Sequence, residues 1–247
     1  MIPIKINRTN ILYWIIFGLK DLGRMLLALI QFKPRRLSRV LRYVEKNAEK
    51  GNPESVLKAL DEFALRKNFL MNVGKEKGDI VKKSVQSSDA RSVLELGAYC
   101  GYSAIIIAQE LKERQGKLIS IEKSKHNAAI AEAVVEYAGL GDYVEFKVGS
   151  ASEQIRTLNT TFDLVFIDHW KDLYLPDLKL IESKGLLNER AQVVADNVGI
   201  FENSLKTYLE YVRTSGRYET LFISAPMEYE DRIEDGVEIS TWLGQAA

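Results

Sequence analysis

The chain has 247 residues, 34 Lys and Arg against 34 Asp and Glu, and 46% hydrophobic residues. That describes one globular domain, or at most two, with enough apolar material for a full core, and the zero net charge argues against a general nucleic-acid binder. One cysteine, Cys100, and two histidines, His126 and His169, exclude a disulfide framework, a multi-cysteine zinc site and a His-rich metal centre, and they suit a reducing compartment.

Charge is unevenly spread. Residues 1–50 carry 11 basic and 3 acidic side chains, so a basic arm precedes an acidic body. Residues 11–19 form an unbroken apolar run, and Ile11 to Ile30 has the ~20 residues needed to span a bilayer. Lys20, Asp21 and Arg24 interrupt that stretch, and a charge near a span centre costs roughly 2.5–3.5 kcal/mol. The pattern predicts, over residues 1–34, a helix lying in the membrane interface or a weak anchor, with Tyr13 and Trp14 at headgroup level. Lys33, Arg35, Arg36, Arg39 and Arg42 would meet anionic lipid and favour a cytoplasmic body. The competing reading is a helix packed on the domain or on a partner subunit. No small-residue cleavage site follows a clean apolar core, so a cleaved signal peptide is not expected.

The body, residues 35–247, begins with helical patterns over 34–46, 53–67 and 76–85. The period then changes. Short apolar strands are predicted at 91–96, 117–122, 142–149, 162–168 and 191–197. Helices alternate with them at 101–114, 125–140, a short stretch after 149, 175–187 and 204–215. Two closing strands are expected at 218–225 and 237–244. Continuous apolar strands separated by helices predict an α/β fold with a mostly parallel seven-stranded sheet, helices on both faces and an N-terminal helical extension.

In such sheets ligands bind beyond the carboxyl ends of the strands. The first strand is followed by Glu95, Gly97, Tyr99, Gly101 and Ser103. Two glycines four apart permit a tight turn and close approach of a ligand to the backbone. The spacing is G-x-x-x-G, not the dinucleotide G-x-G-x-x-G. Glu122 ends the second strand, 25 positions after Gly97, where a carboxylate suits a ribose diol. Together they point to an adenosine-containing ligand, and the shorter spacing favours S-adenosylmethionine over a dinucleotide. Asp168 ends the fourth strand and Asp196-Asn197 the fifth, ends that should be neighbours. Two carboxylates and an amide oxygen form a hard oxygen set suited to Mg²⁺, although Asp at a strand end also caps helices and forms turns.

These residues carry a resemblance. The strings LMNVGKEKG (70–78), VLELGAYCGYS (93–103), FIDHWKD (166–172), YLPD (174–177), GLL (185–187) and ADNV (195–198) are similar to those of the catechol O-methyltransferase family. The match runs from about Pro53 to Gly236. It implies a Rossmann-like class I methyltransferase that moves a methyl group from S-adenosylmethionine to a catechol hydroxyl with Mg²⁺. It implies further that Met71 and Val73 border the methionine part of the cofactor, with Gly97, Tyr99, Ser103 and Glu95 around its polar ends. Glu122 would hold the ribose, and His169 and Trp170 would pack by the adenine, with Asp168 beside them and Ser152 a further contact. Asp168, Asp196 and Asn197 would hold the metal, Lys171 would be the general base, and Glu228 would take the second hydroxyl. The substrate would touch Phe69, Asp168, Lys171, Asn197, Phe201 and Glu228. Phe69, Phe201 and Glu230 stand where the family usually has Trp, Pro and Met, which implies a differently shaped gate. A related branch, the transmembrane O-methyltransferase-like proteins, is partly degenerate at these motifs. The alternative reading is therefore a catalytically weak scaffold or chaperone on the same fold.

Overall fold

The computed structural model describes residues 36–244. The expected arm over 1–34 lies outside them, and so does the question of its membrane contact. Among the described residues no helix is long and apolar enough to cross a membrane.

Three helices precede the sheet: α1 (Arg36–Asn47), α2 (Pro53–Arg66) and α3 (Gly74–Ser87). α1 buries Leu37, Val40 and Val44, spaced to form one stripe, against α2 and α5 (Lys125–Tyr137). Asn52 caps α2 by accepting a hydrogen bond from the backbone of Ser55, and Pro53 occupies the first turn, where no donor is needed. The remaining order is β1 (Ser92–Leu96), α4 (Tyr102–Glu113), β2 (Lys117–Glu122), α5, β3 (Val144–Val148), α6 (Ala151–Thr157), β4 (Phe162–Ile167), α7 (Tyr174–Ser183), β5 (Leu187–Ala195), α8 (Lys206–Thr214), β6 (Tyr218–Met227) and β7 (Glu230–Trp242).

The sheet order is β3-β2-β1-β4-β5-β7-β6. The first five strands are parallel, and β7 pairs antiparallel with both β5 and β6. Alternate strand residues feed two cores. Val93, Leu164 and Phe166 pack with α1 to α5, whereas Leu94, Leu96, Val165 and Ile167 pack with α6, α7 and α8. Both sides of β1 and β4 are therefore apolar, as a covered parallel sheet requires.

Some boundaries differ from the sequence reading. β5 starts at Leu187, because Asn188, Glu189 and Arg190 join the strand despite their polarity, and the helix expected to run to 187 ends at Ser183. The segment 142–149 opens with a 3₁₀ turn, Gly141–Tyr143. The closing strands form one long hairpin turning at Glu228-Tyr229, with Tyr229 at φ 60.

Where the parallel strands stop, the chain stays in register for one more residue. Gly97 N–H donates to Ile121 O at 2.9 Å, Asp168 N–H to Leu96 O at 3.0 Å and Asp196 N–H to Ile167 O at 3.1 Å. These residues thus leave the sheet along one line. Gly97 has φ 104, and a Cβ there would lie 2.6 Å from Asp168 O, so only glycine fits the crossing. Gly97→Ala should cost at least the ~1–3 kcal/mol of a strained backbone position and displace Asp168; chemical denaturation would measure the loss.

Candidate active site

A cavity of about 600 Å³ opens at this end of the sheet, a volume suited to a nucleoside-sized ligand with a small second molecule. One half is built on the turn after β1. Tyr99 has φ 46 and Gly101, at the start of α4, φ 83, so the backbone curls around the strand end. Glu122 closes it: its Oε2 accepts from Tyr99 N–H at 3.0 Å and its Oε1 from Ser124 N–H at 2.8 Å. Two backbone donors fix that carboxylate against the cavity wall. Behind the turn, Glu95 is fully buried. Ser120 donates to its Oε2, while its Oε1 has no hydrogen-bond partner. Burial pushes the Glu95 carboxyl up to about 7, against the hydrogen bonds from Ser103 and Ser120 that pull it down. An orphaned buried oxygen beside a glycine turn fits the ammonium end of an amino-acid-bearing cofactor.

His169 stacks on Tyr174, with ring centroids 5.4 Å apart, and its Nε2 lies 2.8 Å from Asp177 Oδ2. Trp170 stands at the rim, 61% exposed, and Met71 faces it from the α2–α3 connection, 64% exposed. The same connection is tied to α1, since Arg36 Nη1 donates to Phe69 O at 2.9 Å and Arg36 also bonds the Tyr99 side chain.

The other half of the cavity holds the oxygen set. Lys171, 7% exposed, donates to Asp168 Oδ1 at 3.1 Å, Asn197 Oδ1 at 2.8 Å and the Tyr174 hydroxyl at 2.6 Å. Its Nζ lies 5.5 Å above the Phe201 ring. Asn197 reaches it from a left-handed position, φ 58. One ammonium bridging Asp168 and Asn197 shows that these oxygens converge on a cationic position, which fits a small hard cation. Among the described residues no group of three or more His, Cys, Asp or Glu is arranged to hold a metal; the expected set has only two carboxylates and completes itself with an amide.

Asp196 is set deeper, 1% exposed. Burial and the surrounding carboxylates push its carboxyl up, and Lys77 opposes them. Glu228 is raised by burial in the same way. Burial works against the Lys77 ammonium, but Asp196, Glu228 and Asp235 outweigh it and hold its pKa well above the ordinary lysine value.

Of the expected residues, Gly97, Tyr99 and Glu122 line the cavity from the β1–β2 side, and Phe69 and Met71 from the α2–α3 connection. Asp168, His169, Trp170, Lys171, Asn197, Phe201 and Glu228 line it from the other side. Val73, Glu95, Ser103 and Asp196 stand behind the wall. Ser152 does too: Gly149, Ser150 and Ala151 form the wall there, because Ser150 caps α6 through a capping box and the chain turns inward at that point. Sequence reasoning gave no role to Lys77 or Asp235. A signal for Lys77 existed: it falls four residues before Val81 and eight before Val85 on the buried stripe of α3.

A nucleoside-sized pocket at the strand ends, a carboxylate fixed at its wall by two backbone N–H groups and a convergent oxygen set fit an α/β enzyme that joins a nucleoside cofactor to a small substrate. A protein-family model described as O-methyltransferase matches residues 45–201. Catechol O-methyltransferase B of Danio rerio is 42% identical over 85% of this chain and 80% of its own length. Transmembrane O-methyltransferase of Propithecus coquereli is 35% identical over 83% of this chain and 76% of its own. The structure of an O-methyltransferase from Bacillus cereus in complex with SAH superposes with a TM-score of 0.65 at 23% identity, covering 78% of this chain and 91% of that one. The chain belongs to the O-methyltransferase family, as a catechol O-methyltransferase-like, S-adenosylmethionine-dependent enzyme.

The raised Glu95 carboxyl has a stability consequence. Below pH 4.5 the group is protonated folded or unfolded, so it costs nothing. Between pH 4.5 and about 7 the unfolded chain releases the proton first, and stability falls with rising pH. The total penalty above pH 7 is about 3 kcal/mol. Glu95→Gln should therefore gain on the wild type across that window and keep a constant lead above it, which denaturant titration at several pH values would read.

Proposed function

We propose that this enzyme transfers the methyl group of S-adenosylmethionine to one hydroxyl of a catechol, with Mg²⁺ held by Asp168, Asp196 and Asn197. The observation that carries the proposal is the convergence of Asp168 and Asn197 on the Lys171 ammonium at the cavity wall, while Asp196 and Glu228 meet a second ammonium, that of the buried Lys77. When bound, the cofactor would supply a methyl group on a positively charged sulfur, and a metal held by Asp168, Asp196 and Asn197 would ease loss of the proton from a catechol hydroxyl, whose free pKa is ~10.

The chain's own residues do the rest. The backbone around Gly97 and Tyr99 accommodates the amino-acid end of the cofactor, and Glu95 faces its ammonium group. Glu122 accepts from the ribose hydroxyls, and His169 and Trp170 flank the base. Glu228 accepts a hydrogen bond from the hydroxyl that is not methylated and so fixes the ring. Lys171 Nζ is the group that takes the proton of the reacting hydroxyl. The oxygen so freed would be the nucleophile for the methyl group that the cofactor supplies, with the sulfur as leaving group. Holding both partners in line contributes several kcal/mol of barrier reduction, up to ~7–11 kcal/mol for ideal orientation. Phe69, Phe201, Ile200 and Met227 supply an apolar mouth that excludes water.

The alternative is a scaffold on the same fold. It gives no physical reason for Asp168, Lys171, Asp196, Asn197 and Glu228 to converge, so the catalytic reading is preferred. In our reading residues 1–34 form a separate membrane-directed arm and residues 35–247 the methyltransferase body.

Asp168→Ala or Asp196→Ala should abolish Mg²⁺-dependent transfer of radiolabelled methyl to a catechol panel; full turnover in chelator would overturn the metal assignment. Lys171→Ala should lower the rate by roughly 10²–10⁴ with cofactor affinity unchanged, and a near-normal rate across pH 6–9 would assign Lys171 to structure. Glu122→Ala should weaken cofactor binding by about 1.5–3 kcal/mol for each hydrogen bond lost, read by titration calorimetry.

A further inference from the structure

Carboxylates from three elements meet one lysine inside the protein. Lys77 Nζ lies 2.9 Å from Asp196 Oδ1, 3.0 Å from Glu228 Oε2 and 2.7 Å from Asp235 Oδ2, and its side chain is 1% exposed. The approach is close in the backbone as well. Gly74 opens α3 directly against Glu228, and a Cβ there would lie 2.9 Å from the Glu228 Cβ.

The contacts are selective by atom. Asp196 Oδ1 takes both Lys77 and the Asn197 N–H, the latter at 2.7 Å. Asp235 is directed wholly inward. Its Oδ2 accepts from Lys77 and, at 3.0 Å, from Asn197 Nδ2, and its Oδ1 accepts from the N–H groups of Gly199 and Ile200 at 3.1 Å each. With its Nδ2 held by Asp235, the Asn197 amide must offer Oδ1 to the cavity, where Lys171 meets it. Neither Lys77 nor Asp235 lines the cavity.

We propose that Lys77 and Asp235 are a positioning pair that presets both halves of the site, the metal ligands Asp196 and Asn197 and the substrate acid Glu228. Lys77 occupies one oxygen of Asp196 and one of Glu228, which leaves the second oxygen of the former for the metal and of the latter for the catechol hydroxyl. Asp235 holds Lys77 in place and sets the Asn197 amide. Partners of this kind fix ligand orientation without touching the metal. The inference rests on the methyl-transfer reading above. The opposing explanation is that Lys77 only neutralises buried charge.

The test uses the full chain as wild type, Lys77→Met, and Lys77→Met combined with Asp235→Asn. The double variant removes one charge of each sign, so it corrects the charge imbalance of the single variant and remains informative if Lys77→Met fails to fold. Binding of Mn²⁺, followed by its paramagnetic resonance signal, should weaken about 10–100-fold in the double variant, the scale for losing an outer partner of a metal ligand. The KM for catechol should rise, while the S-adenosylmethionine affinity measured by calorimetry stays unchanged. A double variant that melts cooperatively and binds Mn²⁺ and catechol like the wild type would overturn the proposal and leave charge neutralisation as the role of Lys77. Failure of the wild type itself to bind Mn²⁺ and methylate any catechol would instead overturn the methyl-transfer reading, before any variant is compared.

Discussion

Asp168, Asp196, Glu228 and Asp235 converge at one end of the sheet, and the last three are at least nine-tenths buried. Like charges in a poorly solvated region repel strongly. Two lysines answer them, Lys77 from α3 and Lys171 from the turn after β4. Much of the local architecture follows. α3 must start close enough for its first turn to bring an ammonium under Asp196. The hairpin must deliver Glu228 and Asp235 to the same ammonium. Asn197 must adopt a left-handed conformation to join the set from β5.

The sequence made the alternation of strands and helices legible, because the covered strands are uniformly apolar. β2 matched its expected bounds, since Gly116 and the Ser124 cap punctuate it on both sides. The polar start of β5 was not legible, nor was the first half of β7, Glu230 to Asp235, because charged residues there stand on both faces and carry no alternating strand pattern. Residues at strand ends were readable as site candidates because topology alone assigns them a place. Lys77 was not, since a lysine on a helix reads by default as solvent-facing. The atom-level roles were beyond sequence altogether. Nothing in the order of residues says that Glu122 spends its two oxygens on Tyr99 and Ser124, or that Glu95 keeps one oxygen unpartnered.

The helical addition before the sheet is part of the site rather than an appendage. α1 packs on α2 and α5, and its first residue holds the Phe69 carbonyl and the Tyr99 side chain. The wall of the cavity near Met71 is thus connected through a single guanidinium to the first turn of α1.

β7 lies between β5 and β6, so a strand that follows β6 in the chain occupies an interior place in the sheet. Until that hairpin emerges from the ribosome, the β5 edge is open, Lys77 lacks two of its three counter-ions, and the site has neither Glu228 nor Asp235. A prematurely terminated chain would keep the glycine turn and the ribose acid yet present unpaired charge and a bare strand edge. Such a chain is poorly suited to persist as a half-functional product and well suited to recognition by chaperones and proteases. The fold thereby makes assembly of its chemistry depend on that hairpin.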